Sequence, residues 1–506
     1  MTMTMTMAVS PSPRRRWDSN IPTVFRPLVR AYLFGYASAV GPRLLTLLLQ
    51  HAARHRRSKQ QQQKQQQTGP TSDPQRDEAF LAGLRRILLG PLSCRSFPTS
   101  CAVLIGGATF LELPVKSLLD RYGWTISEVA RRRLSRWLAS FIAAWLSLRL
   151  LQSKQSPSFT EEVKTGPEGK PQTVRYAGRT LDLTFFAVTR ALDVIVGELW
   201  RRRKIRRQAT GQWTRLEAAI SRLADPALFA LSSGLIMWTW FYRPSRLPRA
   251  YNKWIASAAA VDGRLITALQ RCRDGALVYG RETGQAPLLG SMCADYGWPA
   301  AWGDPVRSVP FPCEMVHMGC GPSCEYHALS RFVRSFRWAM TTYLPLTLLL
   351  AARNGGSSRS SKNKNQAIRA LRRALLSASR SSAFLATFIA LFYYGVCLAR
   401  TRIGPHVLGR DAAACQRIDG GICVGAGCVL CGWSILLESP ARRKDVFLFV
   451  APRAMAALFP RRYPLDKQWR ETVAFAAGAA VVMAAFAENR NAVRGVAGGV
   501  LGWVFQ

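Results

Sequence analysis

The feature that most constrains this chain is the separation of apolar from basic residues along the sequence. Apolar runs that approach the length of a membrane helix, about 20 residues, alternate with clusters of arginine and lysine. In the run Phe332–Ala352, Arg334 and Arg337 lie near one end, where long basic side chains can reach lipid head groups. This pattern predicts an all-α, multispanning helical membrane protein.

Apolar runs of this kind recur along the whole chain. Several are shorter than a full span and can be tilted or half-inserted. The run Ala227–Tyr242 ends in Trp238, Trp240 and Tyr242, which suits a membrane–water interface. The other runs are Leu28–Leu49, Phe97–Leu119, Leu134–Leu151, Leu181–Trp200, Ala383–Ala399, Gly420–Leu437, Val446–Phe459, Val473–Phe486 and the weaker Ala492–Phe505.

The runs form two groups in which short motifs recur in the same order. For example, Phe186 and Arg190 of one run match Phe449 and Arg453 of another without a gap. Because internal repeats are common in transporters and related membrane folds, we expect two related halves of about five helices each. The alternative, that similar composition produces such matches by chance, stays open at this point.

The domain boundaries follow from shifts in composition. Residues 1–23 form a basic tail that we expect to be disordered, and residues 24–242 form the first membrane half. Within that half, residues 51–76 are basic and glutamine-rich, which predicts a disordered loop. Residues 243–330 lack an apolar run of membrane length and are predicted to be a soluble connector, and residues 331–506 form the second membrane half.

The net charge of +41 arises from 70 lysines and arginines against 29 acidic residues. Such an excess favours either nucleic acid or anionic lipid as a partner. The apolar runs between the basic clusters favour lipid, because basic residues beside membrane helices attract anionic head groups by about 1 kcal/mol each. We therefore expect the lipid bilayer and its anionic lipids as partners, and no nucleic acid.

Charged residues inside the apolar runs are the first candidates for a site. Arg190 and Arg453 fall in the middle of their runs, and Asp193 follows Arg190 on the same helix face. An arginine at mid-membrane costs about 3 kcal/mol on insertion scales and usually faces a bundle interior or a wet cavity. These three residues are predicted to line a polar site for an anion such as a lipid head group. Pairing with an acid, or extension to the interface, is the structural alternative.

A turn-rich segment at the end of the connector, residues 313–327, carries Cys313, His317, Cys320 and Cys324. With His327 and Cys293 these residues hold enough ligand atoms for zinc, but the spacing matches no familiar zinc pattern. A disulfide between Cys313 and Cys324 is a second possibility. Packed structural thiols are the interpretation that we favour, with no bound metal.

The same segment carries a resemblance to a known family. Cys313 and Cys324, the latter preceded by Pro-Ser, stand ahead of an apolar helix with the motif Tyr-Leu-Pro-Leu at Tyr343–Leu346. The helix–basic turn–helix stretch Leu436–Phe459 continues the pattern. Over residues 290–506 the chain resembles the transmembrane protein 135 family, also called peroxisomal membrane protein 52, and its fungal branch most. The family is distantly similar to the Tim17/Tim22/Tim23/Pmp24 group.

The resemblance implies a peroxisomal or mitochondrial membrane protein that takes part in organelle dynamics or lipid handling and is possibly transporter-like. It also implies other organelle membrane proteins as partners. A non-transporting scaffold, which recruits partners through its basic loops, is the alternative. The sequence has no GxSxG, HExxH or P-loop motif, so we expect neither an enzyme nor a cofactor.

Overall fold

A computed structural model of the chain describes residue 18 and residues 20–64, 74–122, 127–164, 171–355 and 364–506. Across these ranges the secondary structure is almost entirely helical, which confirms the predicted all-α fold. Most of the predicted basic tail, residues 1–23, lies outside the described residues, as does a part of the predicted loop 51–76.

The helices of the first part of the chain follow the predicted runs but extend beyond them. They are α1 (Arg26–Lys64), α2 (Pro74–Leu89), α3 (Phe97–Arg121), α4 (Glu128–Gln152), α5 (Leu181–Ala209) and α6 (Arg215–Tyr242). Helix α1 continues to Lys64, whereas the sequence predicts a disordered loop from residue 51. Helix α6 begins with a capping box in which Thr214 and Glu217 bond each other's backbone N–H groups, and this sets its start ahead of the apolar run.

The predicted connector forms four short helices: α7 (Arg249–Ala259), α8 (Gly263–Asp274), α9 (Ala286–Tyr296) and α10 (Cys313–His317). Local signals set their ends. Asp262 accepts a hydrogen bond from the backbone N–H of Arg264 at the start of α8, and Gly275 ends that helix in the left-handed conformation with φ of 74°.

The last part of the chain contains α11 (Cys324–Gly355), α12 (Lys364–Cys397), α13 (Ile403–Val407), α14 (Ala412–Arg417), α15 (Cys423–Cys431), α16 (Pro440–Leu458), α17 (Gln468–Glu488) and α18 (Gly495–Val504). Two π-helical turns interrupt this series. The first, Leu398–Arg402, joins α12 to α13, and the second, Ile418–Ile422, joins α14 to α15. Such turns widen the helix by one residue and redirect the side chains around them.

Three short strands break the helical pattern in the described part of the chain. They are β1 (Thr160–Lys164), β2 (Pro171–Ala177) and β3 (Tyr463–Pro464). They form an antiparallel sheet in the order β1-β2-β3, with Thr160 opposite Arg175 and Ala177 opposite Tyr463. The hairpin of β1 and β2 lies in the polar segment between α4 and α5.

Among the described residues, six helical segments are long and apolar enough to cross a membrane, so this is an integral membrane protein. These segments are Phe80–Arg121, Glu128–Gln152, Arg215–Tyr242, Ile368–Val407, Ala412–Leu437 and Leu465–Glu488. The predicted runs in α1, α5, α11 and α16 are helical as well, but they do not belong to this set.

The helices group into two compact units. Unit 1 comprises Met1–Leu199 and Arg462–Gln506, and unit 2 comprises Trp200–Arg461. In unit 1, α3 packs on α4 and α4 packs on α17, whereas in unit 2, α12 packs on α15 and α15 packs on α6. Each unit thus contains three of the six segments, and one of the three comes from the other predicted half. The boundaries of the two units therefore differ from those of the predicted halves. The common origin of the two halves stays a prediction.

Small residues dominate the core of unit 1. Ala144 of α4 belongs to the same buried cluster as Ala476 and Ala479 of α17. Because these side chains are short, the helix backbones approach closely, as in many membrane bundles.

In unit 2 the connector shares one core with the apolar segments. Leu269 of α8, Met292 of α9 and Met315 of α10 belong to the same buried cluster as Val396 of α12 and Val424 of α15. The connector is therefore packed on the helices of unit 2, and this packing positions the cavity and the cysteine cluster described next.

Candidate functional site

The predicted polar residues Arg190 and Asp193 lie on α5 in unit 1. Arg190 is buried, its Nη1 donates a 3.0 Å hydrogen bond to the carbonyl oxygen of Arg494, and its guanidinium lies 5.1 Å from the ring centre of Phe186. The Asp193 carboxylate accepts hydrogen bonds from Nε and Nη2 of Arg494, with 3.1 Å to Nε. Arg494, just before α18, thus contacts both residues. The ion pair therefore joins Asp193 to Arg494, whereas the hydrogen bond of Arg190 goes to a backbone carbonyl.

The third predicted residue, Arg453, lies on α16 in unit 2. Its Nη1 donates a 2.7 Å hydrogen bond to the carbonyl oxygen of Phe449, one turn earlier on the same helix. Its guanidinium lies 3.8 Å from the ring centre of Phe449 and 5.6 Å from that of Tyr251. Arg190 and Arg453 therefore have the same local arrangement, an arginine stacked on the phenylalanine four residues before it. Their roles in function stay predictions.

A cavity of about 450 Å³ opens in unit 2 where three helices end. Its walls come from the C-terminal ends of α6, α8 and α16. The free carbonyl groups at a helix C-terminus attract cations, which explains why arginines collect at this point. We refer to this space as the basic cavity; the residues of its lining that matter for charge and stacking are Trp238, Tyr242, Arg243, Arg246, Arg273 and Asp274.

Positive charge and aromatic surface are combined in the basic cavity. Arg273 lies 4.7 Å from the ring centre of Trp238 and 4.6 Å from that of Tyr242. Arg246 donates a 3.3 Å hydrogen bond to the carbonyl oxygen of Leu458. Within the described part of the chain, the buried hydroxyl of Tyr242 has no hydrogen-bond partner. Three arginines against the single carboxylate of Asp274 leave the lining cationic, which suits an anionic ligand.

The sequence signals for the basic cavity were only partly recognisable. The aromatic end of α6 is predicted as an interface anchor, and Arg243 and Arg246 follow it directly. Arg273 comes from α8 in the connector, and no local pattern links it to α6. The structure places Arg273 against Trp238 and Tyr242 because the connector packs on the end of this span.

A second cluster in unit 2 brings four sulfur and nitrogen ligands together. Cys313 and His317 lie one turn apart on α10, Cys324 begins α11 and Cys397 ends α12. Their four ligand atoms all lie within 4.8 Å of one another. Hydrogen bonds with Cys397 and His317 lower the pKa of Cys313, against the opposing effect of burial.

The cluster lacks three of the residues predicted as possible zinc ligands, Cys320, His327 and Cys293, and contains one that was not predicted, Cys397. Cys320 does not join it, and its Sγ lies 3.5 Å from Ser330 Oγ instead. His327 stacks on His317 with ring centres 4.6 Å apart but contributes no atom to the cluster. Cys397 is the member that the sequence interpretation missed, since it lies in an apolar run far along the chain and has the composition of a buried thiol.

Comparison with protein-family models, with curated proteins and with solved structures gives no match. The resemblance to the transmembrane protein 135 family therefore rests on the sequence motifs at Cys313–Leu346 and Leu436–Phe459 alone. The geometry itself presents two kinds of site in unit 2: a cationic, aromatic cavity at the end of a span, and a buried cluster of soft ligands.

Proposed function

We propose that this integral membrane protein acts in an organellar membrane, peroxisomal or mitochondrial, where it binds and handles anionic lipids without catalysing a reaction. The observation that carries the proposal is the basic cavity. The resemblance to the transmembrane protein 135 family supports the choice of organelle, and the arginine-rich composition supports the choice of lipid.

The position of the basic cavity suits a lipid head group. It lies at the aromatic end of α6, and tryptophan and tyrosine at the end of a span favour the head-group level of a bilayer. Basic pockets between membrane helices bind phosphate-bearing head groups. A cavity of about 450 Å³ is large enough for a head group and too small for a complete two-chain lipid. In this proposal the acyl chains remain in the bilayer.

Arg273 and Arg243 supply the charge, and each ring beside Arg273 holds its guanidinium in place. A phosphate in the cavity accepts hydrogen bonds from these guanidinium groups, and the unpartnered Tyr242 hydroxyl is a further donor. Specificity for anionic over neutral lipids follows from the net positive charge of the lining.

Native mass spectrometry of the detergent-solubilised protein tests lipid binding. We expect bound phosphatidylserine or cardiolipin in excess of phosphatidylcholine at equal concentrations. Arg273→Gln and Arg243→Gln should each weaken that binding about fivefold, which corresponds to about 1 kcal/mol for one arginine. Arg249→Gln, an exposed residue outside the cavity, is the matched control. Equal retention of anionic lipid by all variants contradicts the proposal.

The organelle is tested separately. A fluorescently tagged full-length chain should coincide with peroxisomal or mitochondrial markers in cells, and it should stay in the membrane pellet after a carbonate wash. Release into the carbonate supernatant, or residence in another membrane, contradicts the organellar part of the proposal and leaves the lipid measurement as an independent result.

A non-transporting scaffold is the second candidate function, and one observation favours it. The C-terminal turns of helix α5 carry an arginine-rich and largely exposed stretch, Arg201–Arg207, which offers a surface for an anionic membrane or an acidic partner. A lipid-transfer assay in liposomes distinguishes the two candidates. Transfer that falls when Arg190 and Arg453 are each changed to Met supports the lipid-handling protein, whereas the absence of any transfer by the wild-type protein favours the scaffold.

A further inference from the structure

The four ligands of the cysteine–histidine cluster come from three separate elements of unit 2. Cys313 and His317 share one face of α10, the chain then turns through Gly319 and Gly321, with φ of 83° and 86°, and Cys324 begins α11. These glycines adopt the left-handed conformation that a tight return of the chain requires. The turn brings Cys324 back beside Cys313.

Four of the six distances between the ligand atoms match those of a tetrahedral zinc site, and the other two, from Cys324 Sγ to Cys397 Sγ and to His317 Nε2, are within 4.8 Å. Cys313 Sγ lies 3.9 Å from Cys324 Sγ and 3.8 Å from Cys397 Sγ. His317 Nε2 lies 3.5 Å from Cys313 Sγ and 3.4 Å from Cys397 Sγ. Zinc with bonds of about 2.3 Å to sulfur and 2.0 Å to nitrogen holds sulfurs about 3.8 Å apart and nitrogen about 3.5 Å from each sulfur.

The same distances disfavour the alternatives from the sequence. A disulfide requires sulfurs about 2.05 Å apart, and the 3.9 Å between Cys313 and Cys324 leaves both thiols free. Packed thiols alone do not need a buried histidine nitrogen directed at them. Here His317 is fully buried and directs Nε2 toward two of the sulfurs.

A hydrogen bond outside the ligand set orients the histidine. His317 Nδ1 lies 2.7 Å from the carbonyl oxygen of Gly321, so Nδ1 carries the proton and donates it to that oxygen. The lone pair of Nε2 is then free for a metal. Most zinc-binding histidines have such a second partner, which sets the tautomer and the orientation of the ring.

We infer that Cys313, His317, Cys324 and Cys397 form a structural zinc site in this protein. Four protein ligands close the coordination sphere and leave no position for a substrate, which is the arrangement of structural and not of catalytic zinc. The ion fastens the cysteine-rich turn to the end of α12, and so adds a metal link between the connector and an apolar segment that also contact each other through packing and hydrogen bonds.

Metal analysis of the full-length protein, purified in detergent without chelators, tests this inference. We expect close to one zinc ion per chain. Zinc-edge X-ray absorption should show three sulfur ligands and one nitrogen, and cobalt in place of zinc should give the visible absorption bands of a tetrahedral thiolate complex. These measurements use the wild-type protein, so they decide the question even if a ligand variant does not fold.

The variants compare cysteines inside and outside the cluster. Cys397→Ala should lose the zinc, whereas Cys320→Ala, in the same turn but outside the cluster, should retain it. The inference is overturned if the wild-type protein contains no zinc and takes up none when it is supplied. A Cys313–Cys324 disulfide, another metal in place of zinc, or equal loss of zinc in both variants overturns it as well.

Discussion

Arg400 and Asp419 form an ion pair inside unit 2, with 2.6 Å between Arg400 Nε and Asp419 Oδ1. The side chains are 2% and 1% exposed, and each lies in one of the two π-helical turns. The hydroxyl of Tyr279 donates a 2.6 Å hydrogen bond to Asp419 Oδ2, and Arg400 Nη2 donates a 2.9 Å hydrogen bond to the carbonyl oxygen of Phe311. One buried network therefore links the connector to the apolar segments.

Removal of one partner of this ion pair should greatly lower the free energy of unfolding, because the other charge is left buried without its partner. Asp419→Ala should lower the free energy of unfolding by about 3–5 kcal/mol, and Arg400→Met combined with Asp419→Leu should recover most of that loss. Denaturant unfolding in detergent measures both. The exposed ion pair of Arg402 and Glu325 is the matched control, and its loss should change stability by about 1 kcal/mol at most. A double variant as unstable as Asp419→Ala would contradict the predicted compensation.

Chelation should lower the stability of unit 2 if the inferred zinc is present. A strong chelator should reduce the unfolding temperature of the wild-type protein, because the metal contributes free energy only to the folded state. The unfolding temperature of Cys397→Ala should already be low and should not respond to chelation, whereas that of Cys320→Ala should respond like the wild type. Added zinc should reverse the effect. If the unfolding temperatures of all three proteins respond identically to the chelator, the loss of stability does not arise from metal bound at this cluster.

Two glycines of the apolar runs should respond in opposite ways to alanine. At Gly427 of α15 an added Cβ would lie 2.7 Å from the carbonyl oxygen of Phe392, so Gly427→Ala should destabilise the protein by about 1–3 kcal/mol. At Gly499 of α18 an added Cβ meets no atom within 4 Å, and Gly499→Ala should be neutral or stabilise by up to about 1 kcal/mol. Thermal unfolding of the two variants checks this contrast, and equal effects would argue against close packing at Gly427.

Asp262 should make the stability of the connector depend on pH. Its hydrogen bonds from Arg264 lower the pKa of the carboxyl, against the opposing effect of burial. The folded state therefore binds a proton less readily than the unfolded chain, so the stabilisation is present above the ordinary pKa and is lost as the pH falls through the lowered value.

At neutral pH, Asp262→Ala should lower the free energy of unfolding by about 1 kcal/mol, since Asp262 also caps α8. The difference from the wild type should shrink as the pH is lowered from neutral to about 3. Asp295, which is 65% exposed and contacts the same Arg264, is the control, and Asp295→Ala should have little effect at any pH. A constant difference between Asp262→Ala and the wild type across this range would contradict the expected linkage.

Local sequence patterns predicted the helices because the determinants of a membrane helix are themselves local. Apolar runs located α3, α4, α12 and α17, and the run Ala227–Tyr242 located the C-terminal end of α6, which ends at Tyr242. The first residues of the helices were predicted less accurately, since capping residues such as Thr214 lie outside the apolar runs.

Part of the candidate site could also be read from the sequence. Cys313, His317 and Cys324 lie close together in the sequence and hold ligand atoms, although their spacing matches no familiar zinc pattern, and the structure brings them together. Cys397 could not be assigned to them, because an isolated cysteine in an apolar helix has the composition of an ordinary buried thiol. The same holds for Arg273, whose partners Trp238 and Tyr242 are on a different helix.

By itself, the sequence determined that this chain forms apolar helices with basic ends and that its segments belong in a membrane. Only the tertiary structure decided which helices share a unit: α17 with α3 and α4, and α6 with α12 and α15. The physical reason is that hydropathy shows which residues avoid water, whereas the choice of a neighbour depends on the shapes of two surfaces far apart in the chain. The basic cavity and the cysteine–histidine cluster depend on which helices pack together.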